Sequence, residues 1–329
     1  MDREPDPTDP TPQPELRPLV TVLGLRVSSF LLAVLLGISL GASGLIAAAQ
    51  YWDVGQVDPA ALEKVFQGDD KVDPVLGLWL RVGTLPLVLW ILWFFTVHFD
   101  GDRVADVGLR RPRLAGKEAL LACFAGALTP MLWWLLITPL GGSHVAPRVA
   151  GDGAGLDGLG LLGFVLMFLL LIFQDELIYR GYIFSTLRRR WSWVHAAGLT
   201  NLLALSLYAG HDEAGPAGLL NFFLLGLVLA AMREKTGSLW MSTLFGGIFA
   251  AVEGCVLSLP LHGLTYPSLF DHRLDGPASL TGGAFGPRGS WTLSGILLVL
   301  VMLSAWWAER RDLADRRGEA ASEDDSPSS

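Results

Sequence analysis

The sequence predicts an all-α, polytopic membrane protein with about eight transmembrane helices. Two observations carry that prediction. Apolar residues make up 51% of the 329-residue chain, mean hydropathy is +0.45, and twelve Trp and sixteen Phe exceed what a soluble domain needs. Several stretches of about 17 or more residues are also free of charge, the length a helix needs to cross a hydrocarbon core. A formal net charge of −8 says little in such a chain, because asymmetry between the loops matters more than the sum.

Residues 1–18 are acidic and contain Pro5, Pro7, Pro10, Pro12, Pro14 and Pro18, so they read as a disordered tail. They do not resemble a cleavable signal, and the apolar run that follows is longer than a signal core. The membrane domain is expected over 19–308. Its first span, about 19–49, carries Arg26 and a small-residue stretch, Gly41-Ala42-Ser43-Gly44, suited to close helix packing. An acidic loop, 52–73, leads to span two at about 76–99. A basic connector from Arg103 to Lys117 precedes span three at about 119–140, and a Gly-rich loop precedes span four at about 159–187. Spans five, six and seven are placed at about 192–209, 216–232 and 238–259. A loop rich in Gly and Pro separates them from span eight at about 291–307, and 309–329 reads as a charged, disordered tail.

Eight spans put both termini on one side. That side carries 17 Lys and Arg against 6 on the other, so the positive-inside rule puts both termini in the cytoplasm. Cys123 and Cys255 lie inside apolar segments, which leaves neither a disulfide framework nor a zinc knuckle.

The stretch Gln174-Asp175-Glu176-Leu177-Ile178-Tyr179-Arg180-Gly181 commits two carboxylates and a guanidinium to span four. Ionisable groups at membrane depth are costly unless paired, and they mark function by default. Glu176 and Arg180 are one helical turn apart and can pair; Asp175 has no evident partner. Arg188 to Arg190 mark the end of the span, which puts Asp175 roughly 20 Å in. Span seven reaches that depth near Gly246 to Phe249, with Gly246, Ala250 and Glu253 on one face. His211 closes span five. Each group also has a bland reading: Glu176–Arg180 as a structural pair, His211 as a boundary residue, Glu253 as a snorkelling carboxylate. Together, two carboxylates, an Arg and a His could activate a water and stabilise an oxyanion.

Asp175-Glu176-x-x-x-Arg180-Gly181 resembles the Glu-Glu-x-x-x-Arg-Gly motif of the CPBP intramembrane proteases, the CAAX prenyl protease or Abi family. Gly108-Leu109-Arg110-Arg111-Pro112 is similar to the family's connector. Leu207-x-x-x-His211 is similar to its second motif, Phe-x-x-x-His. Thr236-Gly237-Ser238-Leu239-Trp240 is similar to the lead-in to its third. The stretch from Leu280 to Pro287 resembles a tail found in a bacterial subset. The likeness covers about residues 100–305.

It implies an eight-helix fold in the plasma membrane of a bacterial-type cell, acting on membrane-anchored proteins or peptides and not on nucleic acid. It also implies an endopeptidase site drawn from Asp175, Glu176, Arg180 and His211. A carboxylate of the first motif would activate water, and two His would polarise the peptide bond. No cofactor is assigned; zinc enters where the family's metalloprotease reading holds, with His211 at most as a ligand here.

The sequence departs from the motifs in four places, of which Leu207 for the Phe of the second motif is the mildest. Asp175 replaces the first Glu, and Gly246 and Ala250 stand where the third motif, His-x-x-x-Asn, has its polar groups. Losing both opens space facing span four. Glu253 could pair with His211 instead, while His262 and His272 are expected to face solvent. Three functions stay open: an active intramembrane endopeptidase; a pseudoprotease that keeps the fold as a membrane binding or scaffold protein; and a proton-coupled transporter using the buried carboxylates.

Overall fold

The structure, a computed structural model, describes residues 16–51, 81–109, 116–147, 158–208 and 214–324. The acidic loop, the core of the basic connector, most of the N-terminal tail and the last five residues lie outside these residues. Among them run eight helical rods. Helix α1 is Leu16–Tyr51; α2 is Leu85–Phe94, extended by a wide π turn over Phe95–Phe99. Helix α3 is Gly116–Ile137, and α4 is Gly158–Glu176, continued by a π segment, Leu177–Ile183, and a last turn, Phe184–Arg188. Helices α5 (Trp193–Tyr208), α6 (Gly215–Thr236), α7 (Trp240–Ala251, with a π turn over Val252–Val256) and α8 (Trp291–Asp324) complete the bundle.

The protein is therefore all-α and polytopic. Six of the rods are long and apolar enough to cross a membrane, while α5, at 16 residues, and Trp240–Val256 are shorter. Large apolar side chains such as Leu25, Leu40, Leu120, Leu159 and Met302 lie exposed around the outside, as a lipid-facing surface requires. Helix α8 continues to Asp324, where the sequence suggested a disordered tail from residue 309. The Ala, Glu, Arg and Leu that dominate residues 308–321 are good helix formers and extend a helix already nucleated by the membrane span.

Two apolar clusters hold the rods together. One joins α1, α2, the lower part of α4 and α5 through Phe30, Leu92, Leu177, Tyr182 and Ala197; Phe30 stacks on Tyr182 with ring centroids 4.0 Å apart. The other joins α3, α6, α7 and α8 through Trp133, Val228, Phe245 and Leu293. Small residues set the closest approaches. A Cβ at Gly37 would lie 2.6 Å from Ile91, and one at Gly41 3.2 Å from Leu87, so α1 and α2 pack tightly just where small residues invited it. Arg26 of α1 reaches Asp100 at 3.1 Å.

The Gly- and Pro-rich stretch between α7 and α8 is an ordered cap. Strand β2 (Phe270–Leu274) pairs antiparallel with β1 (Ser143–Pro147), in register from Ser143 opposite Leu274 to Pro147 opposite Phe270. The cap is tied to the bundle by polar contacts. Trp133 Nε1 donates to Ser290 Oγ at 2.9 Å, and Asn221 Nδ2 donates to the carbonyls of Arg288 and Ser290, each at 2.8 Å. Gly282 and Gly286 adopt positive φ of 86° and 87° there, and a Cβ at either would run into backbone carbonyls, so only glycine fits.

Candidate functional site

Adjacent residues on a helix point about 100° apart, which sends Asp175 and Glu176 to different neighbours. Glu176 faces the interior, 1% exposed, and Arg180 Nη1 reaches it at 3.2 Å across one turn. The other end of the guanidinium is also engaged: Nη2 donates to Asn201 Oδ1 of α5 at 3.2 Å and to the Gly226 carbonyl of α6 at 3.1 Å. Ser242 of α7 borders Glu176 as well. One arginine thus ties α4, α5 and α6 together at a single level. Gly226 makes this approach feasible, since a Cβ there would lie 2.6 Å from Asn201 Cγ and 2.9 Å from Arg180 Nη2. Glu176 immediately precedes the π segment of α4 and Arg180 lies in its middle, a wide turn of the kind that recurs at functional sites.

Asp175 points toward α2. Its Oδ1 accepts from Arg81 Nη2 at 2.6 Å, and the two side chains are 27% and 48% exposed. Beside this pair, Gln174 Nε2 donates to Thr84 Oγ1 at 3.2 Å, with both side chains buried. Sequence reasoning left Asp175 without a partner. Its signal was in view: Arg81 is a lone basic residue at the head of an otherwise apolar helix.

On α7, Gly246 and Ala250 do face α4, but they face packed side chains. A Cβ at Gly246 would lie 2.9 Å from Ile172 Cγ2, and one at Gly247 2.6 Å from Leu169. Ala250, 3% exposed, packs in a cluster with Phe168, Cys255 and Leu261. The expected open space is closed: with no side chain at Gly246, the two helices approach until branched residues of α4 fill the gap. His211 lies outside the described residues.

Glu253 is fully buried and pairs with Arg288 of the cap at 2.9 Å; the pairing with His211 that the sequence allowed falls on a residue outside the described ones. Arg288 also sits over the Phe249 ring at 5.0 Å, and its Nη1 lies 3.1 Å from His262 Nε2. Neither cap histidine faces solvent freely, as the sequence had suggested. His262 is half-buried in this group. His272 lies between Ser143 Oγ at 2.6 Å and the Leu257 carbonyl at 2.7 Å, and burial holds its pKa below the ordinary value. A cavity of about 630 Å³ opens beside it, lined by Ser258, Tyr266, Asp271 and Leu274 among others.

With this geometry in place, comparison with known families is informative. Residues 157–252 match the family described as Rce1-like, type II CAAX prenyl endopeptidase. The match supports the CPBP/CAAX protease family. It runs from the head of α4 to the second-last residue before Gly254, and so contains Asp175, Glu176, Arg180, Gly246 and Ala250. No curated protein matches the chain. Within the matched segment the acidic pair is present, and each acid is already held by an arginine. A catalytic zinc takes three protein ligands. Asp175 and Glu176 are turned to guanidinium groups, Gly246 offers no ligand atom, and no group of three metal-binding side chains occurs among the described residues. Among the described residues, these positions by themselves offer fewer than the three ligands that a catalytic zinc takes.

Proposed function

We propose that this protein is a catalytically impaired member of the CAAX-protease family, a membrane-embedded protein that binds membrane-anchored proteins or peptides without cleaving them. The observation that carries this reading is the packing of Gly246 against Ile172. In the family pattern that face of α7 supplies a histidine and, one turn on, an asparagine, both aimed at the acids of α4. Here it supplies Gly246 and Ala250, and apolar atoms occupy the space in which those groups would act. Removing donors from the position where an oxyanion develops costs about 10²–10³-fold each in rate, and loss of two leaves little of the catalysis. The family's endopeptidase activity, with Asp175 as base and His211 as polarising group, is the reading this one displaces.

The impairment sits in the helix interface, so its test must rebuild that interface. Gly246→His and Ala250→Asn, combined with Ile172→Ala to make room, are compared with the native protein on membrane-anchored peptides in liposomes. Cleavage by the rebuilt protein with none by the native one is the expected result. Equal cleavage by both would overturn the reading. We also propose a bacterial-type plasma membrane, on the family resemblance, and cytoplasmic termini, on the strength of the Lys and Arg excess on the terminal side.

A further inference from the structure

We propose that the cavity in the cap is where this protein receives its partner, and that it takes a lysine or arginine side chain from an extended segment of a membrane-anchored protein or peptide. The inference rests on the binding function proposed above and names the place and the chemistry of that binding. The cavity lies outside residues 157–252, the segment that matches the family. The cap joins α7 to α8 at the Trp291 end of α8, so the cavity is on the membrane face opposite the Asp324 end.

Charge sets the class of ligand. At about 630 Å³ the cavity falls within the roughly 300–1,000 Å³ of small-ligand sites. Among the described residues, Asp271 is the one acid on its wall, and neither lysine nor arginine lines it. Asp271 is exposed and makes no hydrogen bond or ion pair among the described residues. Asp275, four residues on, is by contrast taken by Arg273 at 3.2 Å and approached by His144 at 3.7 Å. His272 does not supply the missing cation. Both its ring nitrogens are engaged, by Ser143 Oγ and the Leu257 carbonyl, and burial favours the neutral ring. An incoming cation therefore meets a carboxylate that no protein cation occupies.

The rest of the wall suits a side chain carried on a peptide. Tyr266 lines the cavity, and its ring is fixed by edge contacts with Phe168 and Phe164 of α4, at 5.2 and 6.4 Å between centroids. A carboxylate and an aromatic ring on one wall are the groups that hold an ammonium or guanidinium. Pro260, Pro267 and Leu274 give apolar surface for the stem of a long side chain, while the hydroxyls of Ser258 and Thr265 can bond a peptide backbone. The wall is also built in advance. Ser258 holds a φ of 55°, a strained value for a residue with a side chain. Ser268 Oγ secures it, lying 2.9 Å from both Ser258 Oγ and the Phe270 carbonyl. The Leu269 N–H donates to the Cys255 carbonyl at 2.8 Å, which ties the same stretch to α7. A site fixed before binding loses less freedom when its ligand arrives.

The test maps where a peptide lands and needs no peptidase activity. The full-length protein in nanodiscs is mixed with a peptide that has one transmembrane segment, followed by an extended polar segment with a central lysine beside a photoreactive diazirine residue. Cross-links are located by mass spectrometry, with the protein subsaturating so that yield follows affinity. They are expected within 258–272 and at 283–284. Norleucine in place of the lysine should lower the yield about 10-fold, the combined effect of one cation–π contact and one partly exposed ion pair. Asp271→Asn removes the ion pair alone and should lower it about 3-fold. Asp271→Lys should reverse the preference, favouring a glutamate peptide over the lysine one. Yields that ignore both the lysine and Asp271 would overturn the proposal. Cross-links confined to α4 and α7 would overturn the cap site and leave the binding function standing, whereas none anywhere would overturn both. Cleavage of the peptide with cross-links still in the cap would overturn the claim of impaired catalysis and leave the cap site intact.

Discussion

Removing the guanidinium of Arg288 should destabilise the protein more than any other single change to its cap. Glu253 is fully buried, its Oε2 lies 2.9 Å from Arg288 Nε, and its Oε1 has no hydrogen-bond partner among the described residues. Arg288→Leu leaves that carboxylate buried and uncompensated, which costs about 3–5 kcal/mol. At roughly 2–4 °C per kcal/mol for a chain of moderate size, the lower figure suits a longer chain, giving a fall in Tm of about 6–10 °C. The backbone carbonyl of residue 288, which accepts from Asn221, is untouched by the substitution, so the loss reports on the charge. Glu253→Leu combined with Arg288→Leu removes both charges and should return most of the stability, because an apolar pair of similar size is often as good as a buried ion pair. The assay is thermal unfolding in a fixed detergent, followed by tryptophan fluorescence. A single variant within 1 °C of native, or a double variant no better than the single (~1 °C being the resolution that matters against shifts of this size), would refute the reasoning.

Other outcomes follow from the same geometry. Gly226→Ala should lower stability by about 1–3 kcal/mol, the usual cost of overpacking, because its Cβ meets Asn201 and Arg180; thermal unfolding checks it. Gly246→His alone should cost a similar amount by striking Ile172, and Ile172→Ala should relieve it; a Gly246→His variant as stable as native would mean the helices are not in close contact there. His272 is held neutral by burial, its pKa below the ordinary value. A depressed pKa contributes stability above the unfolded value that is lost as pH falls through the folded one. Native Tm should therefore decline as pH drops below about 6.5, and the decline should be shallower in His272→Gln. Single cysteines placed at residue 3 and at residue 320 should both react with a membrane-impermeant thiol reagent only after cells are opened; labelling in intact cells would reverse the proposed topology.

Much of the fold was legible because it depends on coarse properties. Uncharged stretches of membrane length set where the helices run, and Gly37 and Gly41 let α1 and α2 close on each other. The Glu176–Arg180 pair was readable from spacing alone, since four residues on one helix determine that geometry. What escaped were contacts between helices far apart in sequence. Arg81 meets Asp175 across 94 positions and Arg288 meets Glu253 across 35, and nothing local to either residue fixes such a meeting. The ordered cap was missed for a related reason. Its Gly and Pro content reads as a loop, yet the positive φ of Gly282 and Gly286 are the turns that fold it back onto the bundle. The space at Gly246 was misjudged because removing a side chain in a sequence does not show whether neighbouring helices will close the gap. Here they do, through Ile172 and Leu169.

Peptide turnover by the native protein tests the central claim most directly. Purified native protein and Asp175→Asn are reconstituted in liposomes with a set of membrane-anchored peptides, and products are identified by mass spectrometry over hours. The account predicts intact peptides with both proteins. A product formed by the native protein and absent with Asp175→Asn would contradict it.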